Sequence, residues 1–373
     1  MEKRDVVVYS EDYKKLVDAA ALKDKYYEID ERVEEICKEA FKGCDKLEEI
    51  VMPKKLKKID SEAFQGCSSL TKLTLPSRVA SIGRWAFYGC SGLTELTLPD
   101  TLECIEAFAF CGCSGLTELT LPNRVRIIEV SAFEGCSGLT ELTLPNSVKI
   151  IGDGAFAYCS GLEKITVESG NSRYDSRDNC NSIIETATNT LIAGCKNSVI
   201  PNSVTSIGDS AFEGCTGLTE LTLPKSVKSI VDSAFYGCTG LTELTLSNSL
   251  KCIEAFAFSG CRGITKLTLP NSVKSIGYSA FFACIGLTEL TLPDSVTSIG
   301  DAAFSECSGL SKITSLAGIP PVFDRCMFVG EEFGEVNKAN CELIVPEESI
   351  TAYKQAKGWN EFSNIRGFVG EKK

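Results

Sequence analysis

The sequence contains no histidine among its 373 residues. This absence excludes Ser-His-Asp and Cys-His catalytic sites, histidine metal ligands and the usual general base at neutral pH. Long apolar runs are also missing. No stretch approaches the ~18 apolar residues of a membrane-spanning helix, so we expect no membrane insertion. The first residues lack the apolar segment of about 7–15 residues that marks a secretion signal, which leaves the compartment open.

Basic residues are outnumbered by acidic ones, 38 against 50, and the formal net charge is −12. A nucleic-acid partner is therefore not expected, because phosphate binding requires a basic surface. Hydrophobic residues make up 43% of the chain, which is typical of a folded protein rather than a disordered one. The 19 cysteines are too sparse in a chain of this length for a small disulfide scaffold.

A 23-residue period dominates the sequence. An Ala-Phe pair recurs every 23 residues, and a cysteine follows three residues after each phenylalanine. The single exception is the step from Phe156 to Phe212, which spans 56 residues. The phenylalanines are Phe41, Phe64, Phe87, Phe110, Phe133, Phe156, Phe212, Phe235, Phe258, Phe281 and Phe304. The cysteines are Cys44, Cys67, Cys90, Cys113, Cys136, Cys159, Cys215, Cys238, Cys261, Cys284 and Cys307.

Each period reads approximately LTELTLPxSVxSIGxxAFxGCxG. In residues 93–115, Leu96 and Leu98 alternate with polar Glu95 and Thr97, which predicts a half-buried strand. A proline ends this strand, because proline cannot donate a hydrogen bond to a central ladder. A second short apolar segment follows, and the Ala-Phe-x-x-Cys stretch then turns the chain. One such unit cannot bury its own apolar side, so stacked copies are expected to form a mostly β solenoid.

The pattern LxxLxLPxxVxxIGxxAFxxC resembles the BspA-like leucine-rich repeat family over residues 33 to 313. The resemblance implies a leucine-rich repeat solenoid with a parallel concave sheet, with short strands and turns on the convex side, and with a cap at each end. We therefore predict an N-terminal cap at 1–32, repeats at 33–313 and a C-terminal cap at 314–373. The long step after Phe156 predicts a β-hairpin insert at about 169–197, with its turn at Thr188-Asn189.

The two caps carry local signals of their own. Ser10-Glu-Asp predicts the N-cap of a short helix at 11–22, and residues 25–29 fall at the register of the first strand. At the other end, residues 350–357 predict a short helix, and Trp359 and Phe362 are expected to cover the apolar end of the last repeat.

The cysteine column is expected to be buried rather than disulfide-bonded or metal-binding, because its side chains point the same way. Eight cysteines lie outside it: Cys37, Cys104, Cys111, Cys180, Cys195, Cys252, Cys326 and Cys341. Cys111 shares a repeat position with Gln65, Tyr88 and Glu134, which predicts that it is exposed. Cys180 and Cys195 flank the predicted hairpin, and both a disulfide and two reduced thiols are compatible with the sequence. The redox state of Cys104 and Cys111 is likewise left open.

The solvent side of the first strand carries two columns of side chains, mainly Glu and Thr. In leucine-rich repeat folds this is the concave, ligand-binding face. The residues predicted to contact a partner are Glu95, Thr97, Glu118, Thr120, Glu141, Thr143, Glu220, Thr222, Glu243 and Thr245. Another column is basic, with Lys57, Arg126, Lys149, Lys228, Lys251 and Lys274. Trp85, Phe108 and Phe256 precede Ala-Phe pairs, where both partner binding and packing between repeats are possible.

Binding is the predicted function, without catalysis, cofactor or metal. A regular row of glutamates gives each carboxylate nearly the same surroundings, so no acid and base are distinguished, and the phosphate-binding and nucleophile motifs are missing. The family resemblance implies adhesion to a protein or glycan partner, such as host extracellular matrix or a cell surface, by a surface or secreted protein. An intracellular protein-interaction scaffold is the alternative, and it agrees with the missing secretion signal.

Overall fold

The computed structural model of the chain describes residues 7–324 and 336–369. Contacts divide the chain into two compact units, each a stack of β coils. Unit 1 comprises residues 1–187 and 193–199, and unit 2 comprises 188–192 and 200–373. The mostly β leucine-rich repeat solenoid predicted from the sequence is confirmed. Cys326 lies outside the described residues.

The strands that lie wholly in unit 1 are short. They are β1 (Val8–Tyr9), β2 (Lys15–Asp18), β3 (Tyr26–Glu28), β4 (Glu35–Ile36), β5 (Glu49–Val51), β6 (Lys58–Ile59), β7 (Lys72–Thr74), β8 (Ser81–Ile82), β9 (Glu95–Thr97), β10 (Cys104–Ile105), β11 (Ile127–Ile128), β12 (Glu141–Leu144), β13 (Ile150–Ile151), β14 (Lys164–Val167), β15 (Tyr174–Asp175) and β16 (Ser182–Glu185).

Strand β17 (Thr190–Gly194) contains the boundary between the units. The strands of unit 2 are β18 (Ser206–Ile207), β19 (Glu220–Thr222), β20 (Ser229–Ile230), β21 (Glu243–Thr245), β22 (Cys252–Ile253), β23 (Lys266–Thr268), β24 (Ser275–Ile276), β25 (Glu289–Leu292), β26 (Ser298–Gly300), β27 (Lys312–Ser315), β28 (Val322–Asp324), β29 (Glu342–Pro346) and β30 (Asn364–Phe368). The α-helix α1 spans Ile350–Gln355, and single 3₁₀ turns span Arg177–Asn179, Glu347–Ser349 and Trp359–Glu361.

The coils contribute strands to two kinds of sheet, in which most neighbouring strands are parallel and residues 23 apart are register partners in the regular repeats. The short strands centred on the repeated isoleucine form the longer sheet of each unit. In unit 1 its order is β1-β2-β4-β6-β8-β10-β11-β13, and in unit 2 it includes β18-β20-β22-β24-β26-β28. Ile105 pairs with Ile82 on one side and with Ile128 on the other. Both hydrogen-bonding edges of these strands are thereby satisfied from coil to coil.

The strands that carry the Glu and Thr columns form shorter sheets. Their orders are β3-β5-β7-β9 and β12-β14 in unit 1, and β19-β21 and β23-β25-β27-β29-β30 in unit 2. Residues 117–120 have the same Thr-Glu-Leu-Thr sequence as residues 94–97 but form no strand. The uninterrupted run of first strands that the repeat predicts is therefore broken between β9 and β12.

Phenylalanine rings form the centre of the core. From Phe41 to Phe156, successive ring centroids lie 4.8 to 5.9 Å apart and the ring planes are within 7° of parallel. From Phe212 to Phe304 the separations are 5.0 to 5.4 Å. Each buried ring excludes water, and each ring inside a run contacts two like rings, so the stack stabilises a coil against its neighbours.

The cysteine column is buried, as predicted, and it has a polar role that the sequence alone did not reveal. Nine of its thiols donate a hydrogen bond, at 3.1 to 3.4 Å, to the carbonyl of the phenylalanine 26 residues earlier. For example, the carbonyl of Phe64 accepts the backbone N–H of Cys67 and the thiol of Cys90. The thiol thus joins consecutive coils at a buried turn where an unsatisfied carbonyl would be costly.

A glycine that recurs in most of the repeats is required by the close approach of two coils. A Cβ at Gly138 would lie 2.6 Å from the carbonyl oxygen of Ser114 and 3.0 Å from that of Leu116. Any larger side chain would therefore push the coils apart at this point.

The helix predicted at 11–22 is wrong. Ser10 does not cap a helix. Its hydroxyl accepts the N–H of Lys15 at 3.0 Å, in the turn of the antiparallel pair β1-β2. Leu16 is fully buried and pairs with Ile36 in the longer sheet. Adding a strand to an open sheet edge satisfies more backbone groups than an isolated helical turn, which explains why the local capping signal is overridden. Residues 26–28 do pair in register with β5, as predicted.

The insert closes the end of the longer sheet in unit 1. After β13, the next position of this sheet is taken by Tyr174, whose hydroxyl accepts the N–H of Ile151 at 3.2 Å. The amide of Asn171 donates to the carbonyls of Pro145 and Val148. Strands β16 and β17 flank a turn at 186–189, where the sequence predicts a hairpin turn.

One prediction about the cysteines is wrong, and one pair of open alternatives is decided. Cys111 was expected to be exposed, but only 8% of its surface is accessible. Its side chain is short, and its register neighbours Tyr88 and Glu134 are longer. The disulfide considered for Cys180 and Cys195 is not formed. Both thiols are free, and they donate to the carbonyls of Ser182 and Asn181 respectively. Cys104 is also free.

The C-terminal aromatic residues are buried, as predicted. Trp359 is fully buried, donates to the carbonyl of Pro321 at 2.9 Å and lies 5.2 Å from the ring of Phe323. Tyr353 of helix α1 is fully buried, and its hydroxyl contacts the hydroxyl of Ser315 at 2.6 Å.

Candidate binding surface

The exposed or half-buried side chains at the first-strand positions of each coil define what we call the Glu/Thr face. In unit 1 it comprises Glu49, Val51, Lys72, Thr74, Glu95, Thr97, Glu118, Thr120, Glu141, Thr143, Lys164 and Thr166. In unit 2 it comprises Glu220, Thr222, Glu243, Thr245, Lys266, Thr268, Glu289, Thr291, Lys312 and Thr314. All ten residues predicted from the sequence to contact a partner are exposed on this face, six in unit 1 and four in unit 2.

A cleft of about 380 Å³ lies where the first-strand sheet of unit 1 is broken. Its walls are Thr94, Glu95, Leu96, Thr97, Thr117, Glu118 and Thr120. Four of the predicted residues, Glu95, Thr97, Glu118 and Thr120, are therefore brought together in one concavity. Leu96 was not predicted as a binding residue, and it is only half-buried where most of its repeat equivalents are buried. The cleft combines two carboxylates, several hydroxyls and one apolar side chain.

Ion pairs neutralise some glutamates of the face but not others. In unit 1, Glu95 pairs with Lys72 at 2.6 Å, and Glu141 pairs with Lys164 at 3.1 Å. Hydrogen bonding to Glu95 raises the pKa of Lys72. Glu118, which lies between the two pairs in sequence order, makes no ion pair with any residue that the structure describes. It is an exposed carboxylate whose charge is open to a partner.

In unit 2, two unpaired glutamates lie side by side. Glu220 and Glu243 are register partners in β19 and β21, so their charges repel. The next lysine of the face along the chain, Lys266, pairs with Glu289 at 3.3 Å. Within the described part of the chain, neither Glu220 nor Glu243 has a basic partner. A cation at this point would relieve the repulsion.

Threonine hydroxyls supply neutral hydrogen-bonding groups beside these charges. Thr222 and Thr245 are register partners in the same way as the glutamates, and the hydroxyls of Thr143 and Thr166 contact each other at 3.1 Å. Threonine is both a good strand residue and a donor and acceptor. The face is thus acidic and able to form directional hydrogen bonds.

Aromatic residues lie at the turn edge, away from the Glu/Thr face. Trp85 and Phe108 stack with centroids 5.6 Å apart, and the guanidinium of Arg84 lies 4.4 Å from the Trp85 ring. Phe256 contacts Tyr278 edge to face at 5.1 Å. These rings therefore pack between adjacent coils, which was one of the two interpretations of the sequence.

Among residues 7–324 and 336–369, no group of three or more Cys, Asp or Glu side chains is arranged to hold a metal ion. In the same ranges, no helix has both the length and the apolarity needed to cross a bilayer. The chemistry that the Glu/Thr face offers is recognition of positively charged groups and hydrogen-bond donors.

Comparison with known proteins identifies the repeat. The family model described as a BspA-type leucine-rich repeat region matches in six copies, at residues 23–113, 80–189 and 192–311. A leucine-rich cell surface protein of Faecalibacterium prausnitzii is 30% identical over 81% of this chain and 83% of its own, with a TM-score of 0.71. The pneumococcal vaccine antigen PcpA is 24% identical over 93% of this chain and 79% of its own, with a TM-score of 0.65, which shows the shared fold. The comparison with curated proteins found no match.

Proposed function

The chain belongs to the BspA-type leucine-rich repeat family, and from this premise we propose that it is a non-catalytic adhesion protein that binds a partner protein through its Glu/Thr face. Its repeats are of a surface-antigen type, consistent with protein binding. The observation that carries the proposal is a set of exposed glutamates that make no ion pair within the described residues, among them Glu118, Glu220 and Glu243 of the Glu/Thr face.

The charge of this face favours one class of partner. Unpaired carboxylates repel sulfated or carboxylated glycans and attract lysine and arginine side chains. The cleft at Glu118 also exposes Leu96, which offers an apolar contact of the kind that anchors protein interfaces. A basic, extended segment of a host matrix or cell-surface protein meets both requirements, so the partner is a protein rather than an acidic glycan.

Charge reversal tests this proposal. The triple variant Glu118→Lys, Glu220→Lys and Glu243→Lys is compared with a control in which Asp24, Asp100 and Asp294, exposed acids outside the face, are changed to lysine. Both variants change the net charge equally. Binding to an immobilised extracellular-matrix preparation is followed by surface plasmon resonance at several salt concentrations.

We expect the face variant to bind at least 10-fold more weakly and the control to bind within about 2-fold of the parent, with unchanged circular dichroism spectra for both. Equal binding by the face variant would place the site elsewhere. Equal weakening by the control would mean that only net charge matters.

Exposure on the cell is a separate requirement of the proposal. Protease treatment of intact native cells, followed by an antibody against this protein, is expected to abolish the signal while a cytosolic marker is retained. Protection of the protein would instead favour the intracellular scaffold.

A further inference from the structure

A second concavity lies in unit 1, outside the Glu/Thr face. It has a volume of about 390 Å³. Its lining residues, which we call the basic pocket, are Glu103, Asn123, Arg124, Arg126, Ser147 and Lys149. All six are polar or charged, in a protein whose repeats are built mainly around apolar side chains.

Three consecutive coils build the basic pocket. The N–H of Arg126 donates to the carbonyl of Glu103, and the N–H of Lys149 donates to the carbonyl of Arg126, both at 2.8 Å. These bonds hold the three side chains in adjacent rungs. Ser147 is fixed by its hydroxyl, which donates to the carbonyl of Val125 at 2.7 Å. The backbone positions of the pocket residues are therefore set by the coil register and need no partner to form.

The cations of the pocket lack acidic partners. Throughout the described ranges, Arg124, Arg126 and Lys149 make no ion pair. The ammonium group of Lys149 donates to neutral acceptors, the carbonyl of Asn146 at 3.2 Å and the hydroxyl of Ser172 at 2.9 Å. At the same repeat position, Lys57 pairs with Glu34 at 2.6 Å. A carboxylate can thus neutralise the cation at this repeat position, but the charge of Lys149 in the basic pocket has no such partner.

This concentration of positive charge is opposite in sign to the net charge of the protein. The chain has a net charge of −12, yet three cations and one carboxylate share this pocket. Guanidinium groups bind carboxylate or sulfate oxygens through paired hydrogen bonds. Asn123, Ser147 and Glu103 add amide, hydroxyl and carboxylate groups, which pair with hydroxyls. The lining is therefore suited to a ligand that carries both an anionic group and several hydroxyls.

We propose that the basic pocket binds an acidic sugar residue, with its carboxylate or sulfate on Arg124 and Arg126 and its hydroxyls on Asn123, Ser147 and Glu103. The volume lies within the range of about 300–1,000 Å³ that is usual for small-molecule sites and exceeds what a lone inorganic anion fills. Glu103 repels a naked polyphosphate but accepts hydrogen bonds from a sugar. This binding is independent of the proposed protein contact. The Glu/Thr face is proposed to bind a positively charged protein segment, whereas the basic pocket would bind a negatively charged sugar.

The test uses the full chain and five probes in isothermal titration calorimetry at 50 mM and 150 mM NaCl. Three are sugars: a sulfated heparin-derived tetrasaccharide, a hyaluronan tetrasaccharide that carries only carboxylates, and neutral maltotetraose. The other two are inorganic sulfate and a single-stranded oligonucleotide, which serves as a general polyanion. The variant Arg124→Ser with Arg126→Ser removes two pocket cations. Its matched control, Lys228→Ser with Lys251→Ser, removes two exposed cations, both without ion pairs in the described structure, at the repeat position of Arg126 in unit 2.

We expect at least one acidic tetrasaccharide to bind, maltotetraose not to bind, and the arginine variant to lose at least 10-fold in affinity while the lysine control changes by less than about 2-fold. Circular dichroism establishes that both variants are folded. The proposal is overturned if neither acidic tetrasaccharide binds at millimolar concentration or if the two variants lose affinity equally. It is also overturned if inorganic sulfate or the oligonucleotide binds as tightly as the tetrasaccharide, which would make the pocket a general anion site.

Discussion

Replacement of Phe133 by alanine tests whether ring stacking holds the coils together. The Phe133 ring is fully buried, with its centroid 5.5 Å from that of Phe110 and 5.9 Å from that of Phe156. Alanine would remove the contacts with both rings and leave a cavity between three coils. The backbone contacts of residue 133, including the hydrogen bond that its carbonyl accepts from the thiol of Cys159, remain available.

The expected cost follows from the burial and the two ring contacts. Phe→Ala substitutions in cores lower the free energy of unfolding by about 3–5 kcal/mol. Each lost aromatic pair accounts for about 0.5–1.5 kcal/mol of this loss. Phe133→Leu retains most of the volume and is expected to cost less than about 1.5 kcal/mol. Tyr88→Ala removes an aromatic side chain that is 41% exposed in the same unit, and it is expected to cost less than about 1 kcal/mol.

Urea unfolding followed by tryptophan fluorescence measures these values. The chain has two tryptophans, Trp85 in unit 1 and Trp359 in unit 2. A Trp359→Phe background leaves Trp85 as the only reporter, in the same unit as Phe133. A loss below about 1 kcal/mol for Phe133→Ala, or a loss as large for Tyr88→Ala, would refute the stacking argument.

Two further predictions concern contacts between coils. Burial raises the pKa of the thiols of Cys44, Cys113 and Cys136 in unit 1. The folded unit therefore keeps protons that the unfolded chain loses above a pH of about 8.5, so its free energy of unfolding should fall by about 1.4 kcal/mol per thiol and pH unit above that pH. Urea unfolding in reductant at pH 7.5, 8.5 and 9.5 checks this, and a constant value would contradict it. Gly138→Ala places a Cβ 2.6 Å from the carbonyl of Ser114 and should cost about 1–3 kcal/mol in the same assay, whereas an unchanged stability would mean that the coils separate freely.

The regular part of the fold was predictable because its signal is a fixed spacing. The Ala-Phe pairs and the cysteines recur every 23 residues, and stacking puts equal positions in contact whatever the details of each coil. The helix expected at 11–22 failed for the opposite reason. Ser10 gives a local signal, whereas the strand at Leu16 depends on an edge supplied by Ile36, 20 residues further along the chain.

The candidate surfaces also depend on contacts between distant residues that the local sequence does not reveal. Residues 94–97 and 117–120 have identical sequences, but only the first stretch contains a strand, β9. Hydrogen bonding in a sheet belongs to neighbouring strands, so no local pattern predicts the cleft between them. The basic column was visible at Arg126 and Lys149. The sequence did not predict that Asn123 and Arg124 complete a pocket beside this column, because these two residues belong to the preceding turn.

The sameness of the coils also bears on how the chain finds its register. The seven residues LTELTLP occur without change at 93–99, 116–122 and 139–145. A coil displaced by one repeat would meet nearly the same rings, thiols and carbonyls, so these contacts stabilise a misaligned stack almost as well as the native one. The features that distinguish the two alignments are the irregular ones: in unit 1 the antiparallel pair β1-β2 and the closing contact of Tyr174, and in unit 2 the burial of Trp359. The least repetitive residues therefore have a second importance, since they make one alignment of a nearly degenerate set the lowest in energy.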